Sequence, residues 1–249
     1  MFNEFHHQVR GRGHESDGTP GQDRTAYLSR GGVQALCLAD GAGSALRSQV
    51  GAQVVVQEGC AMLVELFTQL DTGDDAAEAR RVIRARLHAR LESVARRWGC
   101  AVDELASTFL AVAVSGGRFV VVHIGDGVVG YVRNGEPRVV SGPDNSEFAN
   151  QTTFVTSAQA ASSTRLFRGA SDGVTGFILM SDGASASLFD QRSGTLAPAC
   201  AKLMETVAAA PSRRAKRPEH EKRLRRVVDT RLRLATKDDC SIAILARRP

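Results

Sequence analysis

The spacing of hydrophobic residues in the first half of the chain predicts long helices. Between residues 75 and 98, arginines fill many of the other positions, and apolar residues recur every three or four places, at Ile83, Leu87, Leu91, Val94 and Trp98. Residues with this spacing share one face of an α-helix, so the set predicts a helix with one buried face. By the same criteria, helices are predicted over residues 44–70, 75–98, 196–209 and 218–234.

Elsewhere the pattern is that of short strands separated by glycine turns. Ser115-Gly116-Gly117 and Asn134-Gly135 are hairpin signals. Strands are predicted over residues 33–39, 108–114, 119–124, 128–133, 139–140, 152–156, 176–180 and 241–245. Hairpin-linked strands with an early helix pair indicate antiparallel sheets covered by helix pairs, in an α+β fold. Without an internal repeat or a low-complexity linker, residues 1–249 are predicted to form a single domain.

The composition is that of an ordinary soluble protein, with 43% hydrophobic and 24% charged residues. The N-terminal residues 1–12 are polar and do not resemble a signal peptide. No run of about 18 apolar residues suggests a membrane span, so we expect a cytoplasmic protein without membrane contact. A disulfide framework or a zinc site is not indicated, because the five cysteines are widely spaced and lack a C-x-x-C motif: Cys37, Cys60, Cys100, Cys200 and Cys240.

The net charge of +5 is concentrated in one segment. Residues 212–237 contain eleven Lys or Arg and three acidic residues, which leaves the rest of the chain slightly negative. Such a segment is more often a solvated helix face than a binding surface. A phosphate-rich or acidic partner could still be attracted by charge alone. Nucleic acid is a less favoured partner, because one Trp and two Tyr offer little base stacking.

Aspartates recur where predicted strands end. Asp40-Gly41 follows one strand, Asp126-Gly127 and Asp182-Gly183 follow two others, and Asp238-Asp239 precedes the last. A further acid, Asp23, lies near the start of the chain. A single Asp-Gly after a strand is usually only a turn, and Asp172-Gly173 is interpreted that way. As a group, carboxylates at strand ends can face a shared cleft, and their oxygens are the ligands that Mg²⁺ and Mn²⁺ prefer.

In order along the chain, these motifs resemble the metal-dependent protein phosphatases of the 2C type. The resemblance extends from about residue 13 to residue 246, and its opening, Gly13-His14 to Gln22-Asp23, is similar to a compact bacterial subgroup. The motifs that carry it are Gln22-Asp23, Leu38-Ala39-Asp40-Gly41-Ala42-Gly43, Ala106-Ser107-Thr108-Phe109-Leu110, Ile124-Gly125-Asp126-Gly127 followed by Tyr131-Val132-Arg133-Asn134-Gly135, Phe177-Ile178-Leu179-Met180-Ser181-Asp182-Gly183 and Asp238-Asp239-Cys240-Ser241-Ile242.

The resemblance implies a four-layer αββα sandwich with two antiparallel sheets flanked by helix pairs. It also implies two Mn²⁺ or Mg²⁺ ions at one end, with a possible third, weaker site. Asp40 would bridge both ions and the Gly41 carbonyl would ligate one. Carried over by position, the first ion would be bound by Asp182 and Asp238, the second by Asp23 through water, and the third by Asp126. Asp239, next to a ligand, has no clear assignment.

The implied reaction is hydrolysis of phosphoserine or phosphothreonine in proteins by a metal-activated water, with Asp40 and Asp182 as the catalytic residues. This sequence departs from the family pattern in two places. Ala42 stands where many members have a His that is proposed as the general acid, which leaves the general acid unassigned. The arginine that grips phosphate is also missing before Asp23, and Arg12, His14 or Arg24 could replace it.

Under this interpretation the substrate is a phosphorylated protein, for example a cognate kinase or its targets in bacterial signalling, and the enzyme is a monomer. The alternative is a catalytically inactive phosphatase fold that acts as a regulatory or binding module. All the acidic motifs are present, which favours the enzyme. Hydrolysis of a phosphorylated peptide would distinguish the two.

Overall fold

The computed structural model describes residues 1–143, 152–211 and 217–249. A 3-10 turn (Val102–Leu105) precedes the fourth strand, and a π-helical turn (Val228–Leu232) joins the last two helices. The elements are β1 (Phe2–Val9), α1 (Arg12–Asp17), β2 (Arg24–Arg30), β3 (Val33–Ala39), α2 (Ser48–Thr72), α3 (Ala76–Trp98), β4 (Phe109–Ser115), β5 (Arg118–Ile124), β6 (Val128–Arg133), β7 (Glu136–Ser141), α4 (Ala160–Ser163), β8 (Arg165–Ala170), β9 (Val174–Met180), α5 (Asp182–Leu188), β10 (Phe189–Asp190), β11 (Thr195–Leu196), α6 (Pro198–Ala208), α7 (Arg217–Val227), α8 (Arg233–Ala235) and β12 (Cys240–Arg247).

Two five-stranded antiparallel sheets form the centre of the fold. Their strand orders are β1-β12-β9-β6-β7 and β2-β3-β4-β5-β8. Successive side chains of a strand point to opposite faces, and β3 shows this directly. Leu36 and Leu38 pack between the sheets with Phe177 and Leu179, whereas Cys37 faces the helices. The predicted α+β fold with two antiparallel sheets is therefore confirmed.

Helices cover the outer face of each sheet. α2 and α3 pack on the β2-β3-β4-β5-β8 sheet, and α6 and α7 pack on the other sheet through buried residues such as Met204 and Leu224. The expectation that no segment is apolar enough to span a membrane is corrected by α2. Its length and its mean hydropathy, 1.4 in the most apolar window, would be sufficient to cross one. Half of that window is buried, and Val55, Val56 and Leu63 belong to the core against the sheet.

The sequence pattern missed β1, β2 and β8, and all three are edge strands. Edge strands are partly exposed and paired on one side only, so they lack a continuous apolar run. The predicted strand over 152–156 is wrong. Those residues lead into a turn, in which Val155 N donates to the Ser107 carbonyl at 2.9 Å and the Val155 side chain is buried.

The end of α3 also differs from the prediction. Trp98 was assigned to the buried face, yet 52% of its surface is exposed. The helix ends at this point, because Gly99 adopts a left-handed conformation (φ 63°) and caps it. The last residue of the apolar pattern therefore stays outside the core cluster that contains Ile83, Leu87 and Leu91.

Candidate metal centre

Asp40 and Gly41 lie immediately after β3, in a backbone conformation fixed by contacts to neighbouring segments. The Asp40 amide donates to Thr108 Oγ1 at 2.9 Å, and the Thr108 amide donates to the Asp40 carbonyl at 2.8 Å. Gly41 packs so closely on the first residue of α2 that a Cβ atom would lie 2.8 Å from Ser48 Cβ. Glycine is therefore required here, and the close packing fixes where the Asp40 carboxyl emerges.

The Asp40 carboxyl lies between two other predicted ligands. It is within hydrogen-bonding reach of both Asp23 and Asp182. Burial, followed by the charges of Asp23 and Asp182, raises the pKa of Asp40 well above its usual range. Carboxylates this close repel one another unless a proton or a cation lies between them. The structure thus brings together residues that are 17 and 142 positions from Asp40 in the sequence.

Asp23 is deeply buried, with 2% of its surface exposed. Its Oδ2 accepts a hydrogen bond from Ser241 Oγ at 2.6 Å, whereas its Oδ1 is buried without any partner. Burial raises the pKa of Asp23 to about 7, even though the bond from Ser241 acts in the opposite direction. An unpartnered buried oxygen of an acid is costly, and a bound cation would remove that cost.

Asp182 connects this group to two further predicted ligands. Burial and then the charges of Asp238 and Asp126 raise the pKa of Asp182 above its usual value. The Asp182 carboxylate accepts a hydrogen bond from the Gly183 amide at 2.5 Å, which holds it at the start of α5. Gly183 packs against the chain just before β12, where a Cβ would lie 2.2 Å from the Asp239 carbonyl. The end of β9 and the start of β12, which are paired in the sheet, therefore bring Asp182 and Asp238 to one side.

Asp239, which the sequence left unassigned, binds the N-terminal segment. Its Oδ1 accepts from the Gly11 amide at 2.6 Å and contacts His14 Nδ1 at 3.0 Å. Its Oδ2 accepts from the Gln22 amide at 2.5 Å and from the Asp23 amide at 3.4 Å. Both oxygens are occupied and the residue is 2% exposed. Asp239 thus holds in place the loop that carries Asp23.

The three residues considered for phosphate binding all make contacts within the protein. The Arg12 guanidinium donates to the carbonyls of Leu234 and Thr236 at 3.1 to 3.2 Å. His14 contacts Asp239, and Arg24 Nη1 donates to the carbonyls of Gly21 and Asp23 at 2.9 and 2.7 Å. These contacts hold the loop before β2 together. A role of Arg12, His14 or Arg24 in phosphate binding stays a prediction.

A cleft of about 530 Å³ opens beside Asp126 and Asp182. Its lining includes Thr152, Ser162, Ser163 and Arg165, none of which the sequence motifs had singled out. The Arg165 guanidinium reaches the Gly142 carbonyl at 2.5 Å and the Gly125 carbonyl at 3.1 Å. The position of Arg165 in this cleft could not be predicted from the sequence, because the residue starts an edge strand and lies in no motif.

Arg165 also contacts the buried His123. Arg165 Nη2 lies 2.9 Å from His123 Nε2, and His123 Nδ1 lies 2.7 Å from Ser141 Oγ. His123 Nε2 also lies 2.9 Å from the Gly125 carbonyl. Nε2 accepts if it bonds the arginine and donates if it bonds the carbonyl, so the two contacts correspond to different tautomers of the neutral ring. Burial, and secondly the charge of Arg165, lowers the pKa of His123 to about 3. His123 is thus a neutral core histidine that supports the loop carrying Asp126.

The chemistry of the acids fits divalent cations, whereas their spacing does not form a complete cage. Among residues 1–143, 152–211 and 217–249, no three His, Cys, Asp or Glu side chains are grouped closely enough to hold one ion directly. Mg²⁺ commonly keeps several waters and uses only one or two carboxylates. The clustered carboxylates around Asp40 and the unpartnered Asp23 Oδ1 provide such ligands. The residues therefore fit cations whose shells are completed by water.

Comparison with known families identifies the class of this protein. The family profile of protein phosphatase 2C matches residues 10–229. The chain belongs to the protein phosphatase 2C family. No match is found among curated proteins.

Solved structures share the fold over the whole chain at low sequence identity. Serine/threonine phosphatase Stp1 from Staphylococcus aureus has a TM-score of 0.65 at 12% identity, covering 100% of this chain and 96% of that one. The catalytic domain of serine threonine protein phosphatase PstP in complex with two manganese ions has a TM-score of 0.60 at 16% identity, covering 100% and 99%. The Mycobacterium tuberculosis phosphatase PstP/Ppp gives 0.59 at 17% identity, covering 100% and 99%.

Proposed function

We propose that this protein is a metal-dependent protein serine/threonine phosphatase. The observation that carries the proposal is the packing of Asp40 against Asp23 and Asp182, with the buried Asp23 Oδ1 left without a partner. Such an arrangement is unfavourable in a protein that binds no cation, because like charges and an unsatisfied oxygen are held together. Membership in the protein phosphatase 2C family supports the same conclusion.

The ligand roles follow the positions of the acids. Asp40 would contact both of two Mn²⁺ or Mg²⁺ ions, and the Gly41 carbonyl would ligate one of them. Asp182 and Asp238 would hold the first ion, and Asp23 would hold the second through water. Asp126, whose Oδ2 accepts from Thr152 Oγ1 at 2.6 Å, would contribute to a weaker third site at the cleft. The PstP structure with two manganese ions supports the number and kind of ion.

Two bound cations would supply an activated water and would neutralise charge on the phosphoryl oxygens. The chain's own residues position this chemistry. Ser241 orients Asp23 by donating to its Oδ2, and Asp239 fixes the backbone on which Asp23 lies. Ala42 is only 5% exposed and carries no proton to donate. Protonation of the leaving oxygen would therefore depend on solvent entering the open cleft.

Four hydroxyl side chains line the cleft next to Asp126, those of Thr152, Thr153, Ser162 and Ser163. This polar lining suits a polypeptide segment better than an apolar ligand. We therefore propose a phosphorylated protein as substrate, for example a kinase or its targets in bacterial signalling. We further propose that residues 1–249 act as one domain, as a monomer, in the cytoplasm. The names of Stp1 and PstP as serine/threonine phosphatases support the substrate class.

The decisive experiment measures phosphate release from a phosphoserine peptide and from an aryl phosphate while Mn²⁺ or Mg²⁺ is titrated. We expect activity only with added metal and complete loss in excess EDTA. Full activity in EDTA would overturn the metal-dependent mechanism. If the protein binds Mn²⁺ but hydrolyses neither substrate, the inactive regulatory module is the correct interpretation. Asp74→Asn, a change at an exposed residue, serves as the control variant.

A further inference from the structure

The outer face of the helix before β12 carries an exposed basic surface. α7 continues through the π-helical turn into α8, and Leu224, Val228 and Leu232 bury its inner side against the sheet. Positively charged residues occupy the solvent side. We call them the α7 basic surface, and they are Lys222, Arg223, Arg225, Arg226, Arg231 and Lys237, all exposed.

The positive charges of this surface are not ion-paired, and they outnumber the exposed acids of the same helix, Glu219 and Glu221. None of its six residues forms an ion pair within the part of the chain that the structure describes. Two nearby acids are already engaged, since Asp229 contacts His7 at 2.8 Å and Glu15 pairs with Arg233. Uncompensated like charges repel one another, and they create a field that attracts anionic partners.

The equally arginine-rich helix α3 differs in that some of its arginines are ion-paired. Arg86 contacts Glu58 at 2.7 Å and Glu65 at 2.8 Å, and Arg81 contacts Glu78 at 2.6 Å. There Arg81, Arg86 and Arg96 pair with acids on the same helix or on α2, whereas the other arginines of α3 form no ion pair among the described residues. High arginine content alone therefore does not explain why the α7 basic surface lacks partners.

The α7 basic surface ends at the candidate metal centre. Lys237 directly precedes Asp238, and its carbonyl accepts a hydrogen bond from the Gly13 amide at 2.8 Å. α8 packs against α5, which begins with Asp182. A ligand bound along this helix would therefore extend to the end of the molecule at which the acids lie.

We propose that the α7 basic surface binds an acidic segment of the phosphoprotein substrate, at a distance from the phosphorylated residue. The inference rests on the proposed phosphatase function and adds a preference among its substrates. Arg226 precedes Asp238 by twelve residues. At about 1.5 Å per helical residue, the separation is roughly 15 to 20 Å. An extended peptide spans about 3.3 Å per residue, so its acidic residues would begin about five or six positions from the phosphoserine.

Two other kinds of partner fit the surface less well. Insertion into a membrane would need an apolar face, and Val227 and Leu234, 36% and 57% exposed, are the large hydrophobic residues exposed along this helix. Single-stranded nucleic acid would need aromatic stacking, and residues 217–237 contain no Phe, Tyr or Trp. A polypeptide can occupy both the cleft and the helix face in one continuous chain.

The test compares phosphoserine peptides that differ only in the position of a four-residue Glu block. The block stands at positions five to eight or at positions one to four, on either side of the phosphoserine, and a reference peptide has Gln throughout. The triple variant Arg223→Gln, Arg225→Gln, Arg226→Gln removes charge while keeping helix propensity. A matched triple variant on α3, Arg81→Gln, Arg90→Gln, Arg97→Gln, removes the same charge from exposed positions elsewhere.

We expect wild type to prefer a distal Glu block over the Gln peptide by roughly tenfold in kcat/KM at low salt, and less at high salt. The α7 triple variant should lose this preference, and the α3 variant should keep it. Hydrolysis of an aryl phosphate should stay within about twofold of wild type in both variants. Circular dichroism and Tm would establish that the variants are folded.

Three results would overturn the inference: no preference of wild type for any Glu block, an unchanged preference in the α7 variant, or an equal loss on the aryl phosphate. If wild type hydrolyses nothing with Mn²⁺, the proposed function fails. The surface is then judged by fluorescence anisotropy with a labelled, unphosphorylated Glu peptide, whose binding the α7 variant should weaken. Tighter, competing binding of an oligonucleotide or of anionic vesicles would assign the surface to those partners.

Discussion

The unfavourable state of Asp23 in the metal-free protein leads to a prediction that needs no enzyme assay. The buried carboxyl has a pKa of about 7, compared with an ordinary value of 3.8. A raised pKa means that folding favours the protonated form. The stability that depends on this proton is fully present below pH 4, and it is lost as pH rises through about 7. The metal-free protein should therefore become less stable as pH increases across this range.

The two pKa values give the magnitude. The difference between 3.8 and about 7 corresponds to about 4 kcal/mol of unfolding free energy at pH 8. Asp23→Asn removes the charge while keeping an oxygen that can accept from Ser241. The new amide group can also donate to Asp40, which lies within hydrogen-bonding reach. We therefore expect the variant, without metal, to be more stable than wild type at pH 8 by up to about 4 kcal/mol, and nearly equal at pH 4.

The assay is urea denaturation in EDTA at pH values from 4 to 8, followed by repetition with Mn²⁺. Wild type should gain more from Mn²⁺ than the variant, because a cation neutralises the same repulsion. At a metal concentration 100 times Kd the gain is about 2.7 kcal/mol. A variant that is less stable than wild type at pH 8 without metal, and that gains as much from Mn²⁺, would refute the reasoning. Asp74→Asn should match wild type in both series.

Two further predictions concern neighbouring acids. Asp40→Asn should lower turnover at least 100-fold while leaving the metal-free protein folded, because only the cations need this charge. Wild-type-like turnover of the folded variant would exclude a role of Asp40 in binding both cations. Asp239→Ala should destabilise the protein by about 3 kcal/mol, since it leaves the buried amides of Gly11 and Gln22 without an acceptor. Thermal unfolding with and without Mn²⁺ measures this cost, and a loss below about 0.5 kcal/mol, the range of ordinary surface changes, would contradict the assigned role.

The sequence predicted the central strands well because their pattern is local. β3, β4 and β9 are covered on both faces, so each appears as a continuous apolar run. β1 and β8 were missed because an edge strand is defined by its partner. The partner of β1 is β12, more than 200 positions away in the sequence. Conversely, residues 152–156 are β-branched or aromatic, as in a strand, but they lead into a turn in which the Val155 amide donates to the Ser107 carbonyl.

What the sequence determined by itself is the set of acids at strand ends and the family that they resemble. Each motif consists of a strand end and its turn, so neighbouring residues suffice to recognise it. Only the tertiary structure decided which side chains meet. It placed Asp40 between Asp23 and Asp182, and it turned both oxygens of Asp239 toward the loop before Asp23 rather than toward the acids. The physical reason is that a buried carboxylate is oriented by the donors around it, and those donors come from distant parts of the chain.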